Sequence, residues 1–337
     1  MLVVRLGAIG DVVNALVFAT ALKEARLDIH LGWVVHPLAA PLVQGHPCID
    51  RVHLWKRTAG PSAFATELAR LVREVRAERY DLAVDLQRIQ KSAFLARFSG
   101  APRVLGYDRA RAKELSWLWT KERIPAREQA RHMLLHYLEF AQYLGVETKT
   151  PRHLFPPDDA AEAWGAELVR ELGAEPVLVN LGATKPANRW IPERFGVLAR
   201  ELSRDVPVCF TGGTSDLSVA SAARAASGDA RVRDLVGQTS LRQLVALTRR
   251  ARLYIGCDTG PMHIAAGLGT PVVALFGPAD PARTGPWGSG HRILRVPPPC
   301  APCNRRTCNQ PRHACMEDIT VEHVLAAVRA QLKLVGA

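Results

Sequence analysis

The run Gly256-Cys257-Asp258-Thr259-Gly260-Pro261-Met262-His263 has the residue types and order of a turn that holds an anion. Pro261 suits a first helical position, where its missing N–H is no loss. The free N–H groups of such a turn, with the positive end of the helix dipole, attract phosphate. His263 falls on the same turn and can add a hydrogen bond or a positive charge. The plainer use of Asp258 and Thr259 is to cap the helix. A second turn lies near the start, Gly7-Ala8-Ile9-Gly10-Asp11. Gly7 and Gly10 would let another molecule approach the backbone. A carboxylate at a helix N-terminus is favoured in its charged form, so Asp11 could take a proton from a substrate hydroxyl, or simply cap the helix. The spacing is G-x-x-G-D, not the G-x-G-x-x-G of dinucleotide-binding turns.

Further runs carry candidate chemistry. Asn180-Leu181-Gly182-Ala183-Thr184-Lys185 leads through Asn188 and Arg189 to Trp190, and its two cations could stabilise a departing phosphate. Thr184 belongs to the same loop as a candidate ligand contact. In Thr211-Gly212-Gly213-Thr214-Ser215-Asp216, Asp216 could accept from a ribose hydroxyl or cap the next helix. Cys300, Cys303, Cys308 and Cys315 cluster in a proline-rich stretch. Four thiolates at short spacing can hold a structural Zn²⁺ or iron; free thiols and disulfides are the alternatives, the last less expected in a reducing compartment. Cys209 and Cys257 fall in or beside apolar runs and read, with Cys48, as small core residues.

Taken together, Arg5-Leu6-Gly7-Ala8-Ile9-Gly10-Asp11, the Asn180–Pro192 run, Asp258 to His263 and Thr270 to Pro278 resemble glycosyltransferase family 9, the ADP-heptose:lipopolysaccharide heptosyltransferases. The resemblance covers nearly the whole chain, with the motifs in the family's order. It implies α/β units of GT-B architecture: two Rossmann-like domains whose parallel sheets face across a cleft. It implies an inverting, metal-independent transferase with ADP-heptose as donor and no catalytic cofactor. The acceptor would be the lipopolysaccharide inner core, Kdo-lipid A or its first heptose. Asp11 would then be the base, Lys185 or Arg189 the cation at the leaving diphosphate, and Thr259, Gly260 and His263 the pyrophosphate turn. One departure stands out: where the family often has a lysine two residues before the tryptophan, this chain has Asn188.

The elements that must position these residues alternate. Strand-like runs at 29–35, 81–86, 103–105, 177–181, 206–210, 253–256 and 272–276 are separated by helical stretches such as 62–79 and 129–144. Strands alternating with helices imply parallel sheets. The proline-rich, aperiodic segment 148–157 divides an acceptor-binding domain, 1–155, from a nucleotide-sugar-binding domain, 156–337. A last helix near 320–332 could pack back on the first domain, by analogy with similar transferases.

With 337 residues, two domains can each bury a core. Hydrophobic residues make up 48%, yet no run reaches membrane-spanning length, and Arg5 and Asp11 interrupt any signal-like stretch, so a cytoplasmic protein is expected. The net charge of +12 draws anionic partners. The arginines are spread out and not interleaved with aromatics, which disfavours nucleic acid and leaves phosphorylated sugars or the cytoplasmic face of the inner membrane. A transferase using another nucleotide sugar is the nearest rival reading; a Rossmann-type dehydrogenase lacks its glycine fingerprint here.

Overall fold

The computed structural model describes residues 1–56, 58–125, 132–148, 150–228 and 231–335. The chain divides into two compact units, Met1–Pro157 and Asp158–Ala337. The expected helical stretch from Gln129 begins outside the described residues, as does Lys149 of the proline-rich segment.

In the first unit six strands form one parallel sheet: β1 (Leu2–Val4), β2 (Gly32–Val35), β3 (Arg51–Leu54), β4 (Leu82–Asp85), β5 (Arg103–Gly106) and β6 (Glu122–Arg123). Their order is β3-β2-β1-β4-β5-β6. The crossovers carry α1 (Ile9–Ala25), α2 (Pro61–Ala77) and α3 (Gln90–Phe98), and α4 (Met133–Tyr143) follows β6. Strands β1, β2 and β4 are buried along their whole length. Buried strands of a parallel sheet read as continuous apolar runs, which is why these were visible in the sequence. Helix α1 is apolar nearly all round, with twelve buried positions from Gly10 to Leu22, so it is a core helix.

The second unit opens with α5 (Asp159–Leu172) and repeats the plan with β7 (Val177–Asn180), β8 (Val208–Thr211), β9 (Val232–Asp234), β10 (Leu253–Cys257), β11 (Val272–Leu275) and β12 (Arg292–Leu294). Their order is β12-β11-β10-β7-β8-β9, all parallel. Counted from its own first strand this is 6-5-4-1-2-3, the first unit's order read from the opposite edge. Both sheets are therefore doubly wound, with a switch point between first and fourth strands, where such folds bind ligands. Helices α6 (Pro192–Leu202), α7 (Leu217–Ser227), α8 (Leu241–Arg249) and α9 (Gly260–Leu268) cover the faces. The short α10 (Pro281–Thr284) and α11 (Ala314–Glu317) lead to α12 (Val321–Val335). The buried face of α12, Val324, Ala327 and Val328, belongs to this unit's core with Val273, Leu275 and Trp190. Helices α6 and α7 pack backbone to backbone: a Cβ on Gly196 would run into the carbonyl oxygen of Ala223. No described helix is long and apolar enough to cross a membrane.

Candidate active site

Asp11 sits in the first turn of α1, but it is not the cap; that position is Ala8, which has no side chain to cap with. The carboxylate is instead ion-paired with Arg5, the residue just beyond β1. Arg5 is buried to 5% exposure, whereas the Asp11 side chain keeps 37%, so the pair has one protected and one accessible partner. The Tyr137 hydroxyl of α4 donates to Asp11 Oδ1 at 3.4 Å, and the Arg5 guanidinium lies 5.8 Å from that tyrosine's ring centre. Burial opposes the charge on Arg5, but Asp11, then Tyr137 and Tyr107, outweigh it and raise its pKa above the ordinary arginine value. A fixed cation of this kind orients the carboxylate. A Cβ on Gly7 would meet nothing within 4 Å, so the protein's own packing does not demand glycine there and the space over that backbone is open. Gly10 lies buried in the first turn of α1.

Beside this turn, across the switch point, the end of β4 presents Asp85 and Gln87. The Leu6 N–H donates to Gln87 Oε1 at 2.7 Å, and the Gln87 N–H donates to Asp85 Oδ1 at 3.0 Å. Burial pushes the Asp85 carboxyl up to about 6, against the bonds from Ser92, Gln87 and Arg88 and the charge of Arg5. Arg5, Tyr137, Asp85 and Gln87 were not picked out from sequence as site residues. Tyr137 is 126 positions from Asp11, and no spacing rule links them. The one available signal was an arginine at the end of an apolar strand.

In the second unit, Thr259 caps α9 only with its backbone; its hydroxyl turns back to the Cys257 carbonyl at 3.3 Å. Gly260 and Pro261 open the helix, so the first-turn N–H groups have no side-chain cap, as an anion-binding turn requires. Asp258 precedes the cap position. Its Oδ2 accepts from Asn188 Nδ2 at 3.4 Å and from the Thr284 hydroxyl at 3.3 Å, and His263 Nε2 lies 3.9 Å from its Oδ1. His263 and Asp258 are both well covered, at 7% and 16% side-chain exposure. Asp258 thus fixes the walls of the turn, and His263 stands behind it.

Asn188 links this turn to the loop leaving β7, so the first and fourth strands of the sheet meet at its switch point. Gly182 is required here: a Cβ would come 2.9 Å from Asp216 Oδ2 and 3.3 Å from Asn180 Oδ1. Thr184 is exposed, and Lys185 Nζ donates to the Asn304 carbonyl at 3.3 Å. The two candidate cations differ. Arg189 Nη2 donates to Asp216 Oδ1 at 2.9 Å, in an ion pair with side-chain exposures of 30% and 8%. The other oxygen of Asp216 accepts the Gly213 N–H at 3.0 Å, so Asp216 caps the turn after β8 as well as holding Arg189. Arg189 Nε and Asn188 Oδ1 are buried with no hydrogen-bond partner.

The cysteines divide as their surroundings dictate. Cys48, Cys209 and Cys257 are buried, and burial pushes the last two thiols up to about 12. Cys300, Cys303 and Cys308 are exposed, Cys315 is buried, and all four line one pocket; none is in a disulfide. Among the described residues no three His, Cys, Asp or Glu side chains converge closely enough to hold a metal ion as they stand.

Residues 68–313 match the sequence profile described as glycosyltransferase family 9 (heptosyltransferase). The chain is 29% identical over 329 residues to lipopolysaccharide heptosyltransferase 1 of Pseudomonas aeruginosa, covering 91% of this chain and 87% of that protein. Its fold matches the crystal structure of a family 9 glycosyltransferase from Veillonella parvula with a TM-score of 0.84 at 22% identity, over 98% and 96% of the two chains. It also matches the Escherichia coli heptosyltransferase WaaC with ADP, with a TM-score of 0.79 at 21% identity, over 98% and 99%.

Proposed function

This chain belongs to glycosyltransferase family 9, the heptosyltransferases, and from that premise we propose that it moves heptose from ADP-heptose to the lipopolysaccharide inner core in a single inverting displacement. The observation that carries the reading is the Arg5–Asp11 pair, a carboxylate held by a buried cation yet open to solvent. Asp11 takes the proton of an acceptor hydroxyl, on Kdo or a first heptose, as that oxygen attacks the anomeric carbon from the face opposite the diphosphate. The acceptor oxygen forms the new glycosidic bond, and the bond to ADP breaks with its electron pair leaving on the phosphate. Charge developing there is met by the uncapped N–H groups at Thr259 and Gly260, by His263 and by Lys185. Lys185 is preferred to Arg189 because Arg189 is already neutralised by Asp216.

Gly7, Gly10 and the open space over Gly7 serve the acceptor, and Thr184 and the backbone at Gly182 serve the donor. No metal ion takes part in the chemistry. The protein works in the cytoplasm, held peripherally at the inner membrane by its net positive charge, since its acceptor carries a lipid anchor.

The test is mass spectrometry of products after incubation with ADP-heptose and Kdo-lipid A, beside Asp11→Ala. A gain of one heptose, lost in the variant while ADP binding persists, supports the reading. Binding without transfer, followed by transfer to a heptosylated acceptor, would keep the donor and base and move the acceptor one sugar outward. Neither binding nor transfer sinks the donor assignment.

A further inference from the structure

The loop from residue 295 to 313 has no helix or strand, yet it touches the donor-side residues at several points. The Ala187 N–H donates to the Arg306 carbonyl at 3.1 Å, and Lys185 Nζ donates to the Asn304 carbonyl at 3.3 Å. The Asn304 N–H donates to the Pro278 carbonyl at 2.8 Å. Nothing regular in the loop's own backbone accounts for its holding this shape, and ordering such a stretch is costly without a staple.

A staple is at hand. Cys300, Cys303, Cys308 and Cys315 line one pocket of about 90 Å³, with His313 beside them. His313 Nε2 is buried and has no hydrogen-bond partner. Cys315 is anchored in the unit's core, where a Cβ on Gly277 would come 3.2 Å from its sulfur. Three solvent-facing sulfurs, one core sulfur and an unpartnered imidazole nitrogen make a donor set suited to a thiophilic cation.

We propose that Cys300, Cys303, Cys308 and Cys315 bind one thiophilic divalent cation, zinc or iron, which ties the 295–313 loop to the core and thereby holds the Lys185–Asn188 segment in place. Binding converts each thiol to a thiolate and releases its proton to solvent, with no change of oxidation state. The three exposed sulfurs close on the fixed Cys315 position, and the metal is structural. The part of the inference that concerns Lys185 rests on the donor site proposed above; the metal site does not.

The test measures metal in the full-length protein, purified without chelator, by plasma mass spectrometry, alongside Cys303→Ser and Cys308→Ser. The expected result is one zinc or iron per chain, lost in both variants. Three thiols should react with a thiol reagent only after chelation, and protons should be released when zinc alone is added back to the chelated protein. Chelation should weaken ADP binding by about tenfold, the size of re-ordering one long side chain and its loop. The unmodified protein suffices if the variants fail to fold. Substoichiometric metal with three freely reacting thiols, or a mass showing a disulfide among the four, overturns the proposal. A metal present with ADP binding indifferent to chelation overturns its link to Lys185 and leaves the heptosyl-transfer reading untouched.

Discussion

The loops leaving the first strand of each sheet occupy the same place in the same topology and carry opposite chemistry. After β1 comes Asp11, accessible and paired with the buried Arg5. After β7 come Lys185 and Arg189, with Asp216 neutralising only the second. The turns after the fourth strands differ as well. At β4, Gln87 ties back to Leu6. At β10 an uncapped helix start is left open, with Asp258 held to one side by Asn188 and Thr284. In the function proposed here, the doubly wound sheet fixes where a ligand sits, and the polarity of one loop sets whether that place serves proton transfer or phosphate binding.

The largest expected effect comes from removing the first loop's charge. Asp11→Asn should lower kcat by about 10³-fold while leaving ADP affinity unchanged. Steady-state kinetics beside calorimetric ADP titration checks this, and equal loss of both would assign Asp11 a structural role. Next is the second loop: Lys185→Met should cost about 10²-fold in kcat, as expected for one group facing a leaving phosphate. Arg189→Met should leave kcat within about threefold but lower stability by about 1–3 kcal/mol, because Asp216 is then buried without its partner. If the arginine variant lost activity and the lysine variant kept it, the two cations would exchange roles.

A smaller effect distinguishes the units by pH. His46 is buried; its Nδ1 accepts from the Cys48 N–H at 3.1 Å, so Nε2 carries the hydrogen that faces the Leu154 carbonyl at 3.0 Å. Burial holds its pKa down at about 4, against an ordinary 6.5. The unfolded chain therefore takes up a proton between those values that the folded one does not. Stability is lost as pH falls below 6.5, by about 2 kcal/mol at pH 5. Asp85 works the other way, since its raised value means the folded state holds a proton there up to about 6. Hydrogen exchange followed peptide by peptide should show the first unit loosening on acidification, and His46→Gln should reduce that response, leaving the share of His153, which burial also holds down at about 4. An unchanged response in the variant would assign the acid sensitivity to other groups.

The fold was legible where burial made it so. Strands β1, β4, β7, β10 and β11 are buried throughout, and their runs are apolar up to Asp85 at the end of β4 and Asn180 at the end of β7, because helices cover both faces. The sequence reading passed over β3, β6, β9 and β12, whose residues, Arg51–Leu54, Glu122–Arg123, Val232–Asp234 and Arg292–Leu294, mix charge into short exposed segments. They are outer strands, with a neighbour on one side or little buried surface, so no apolar run marks them. At the site, the turn residues could be read because glycine, proline and a carboxylate leave a local mark. Their partners could not: Arg5 gains its meaning from Tyr137, and Asn188 from Asp258 and Thr284, through contacts that only the folded chain creates.

The close seating of α6 on α7 at Gly196 gives a handle for genetics. Asp216 lies just before α7 and Arg189 just before α6, so one methyl group at Gly196 would press the two helices apart beneath their ion pair. Gly196→Ala is therefore a rational temperature-sensitive allele. Cells carrying it would assemble the outer surface normally when cool and falter when warmed, without any residue of the reaction itself having been altered.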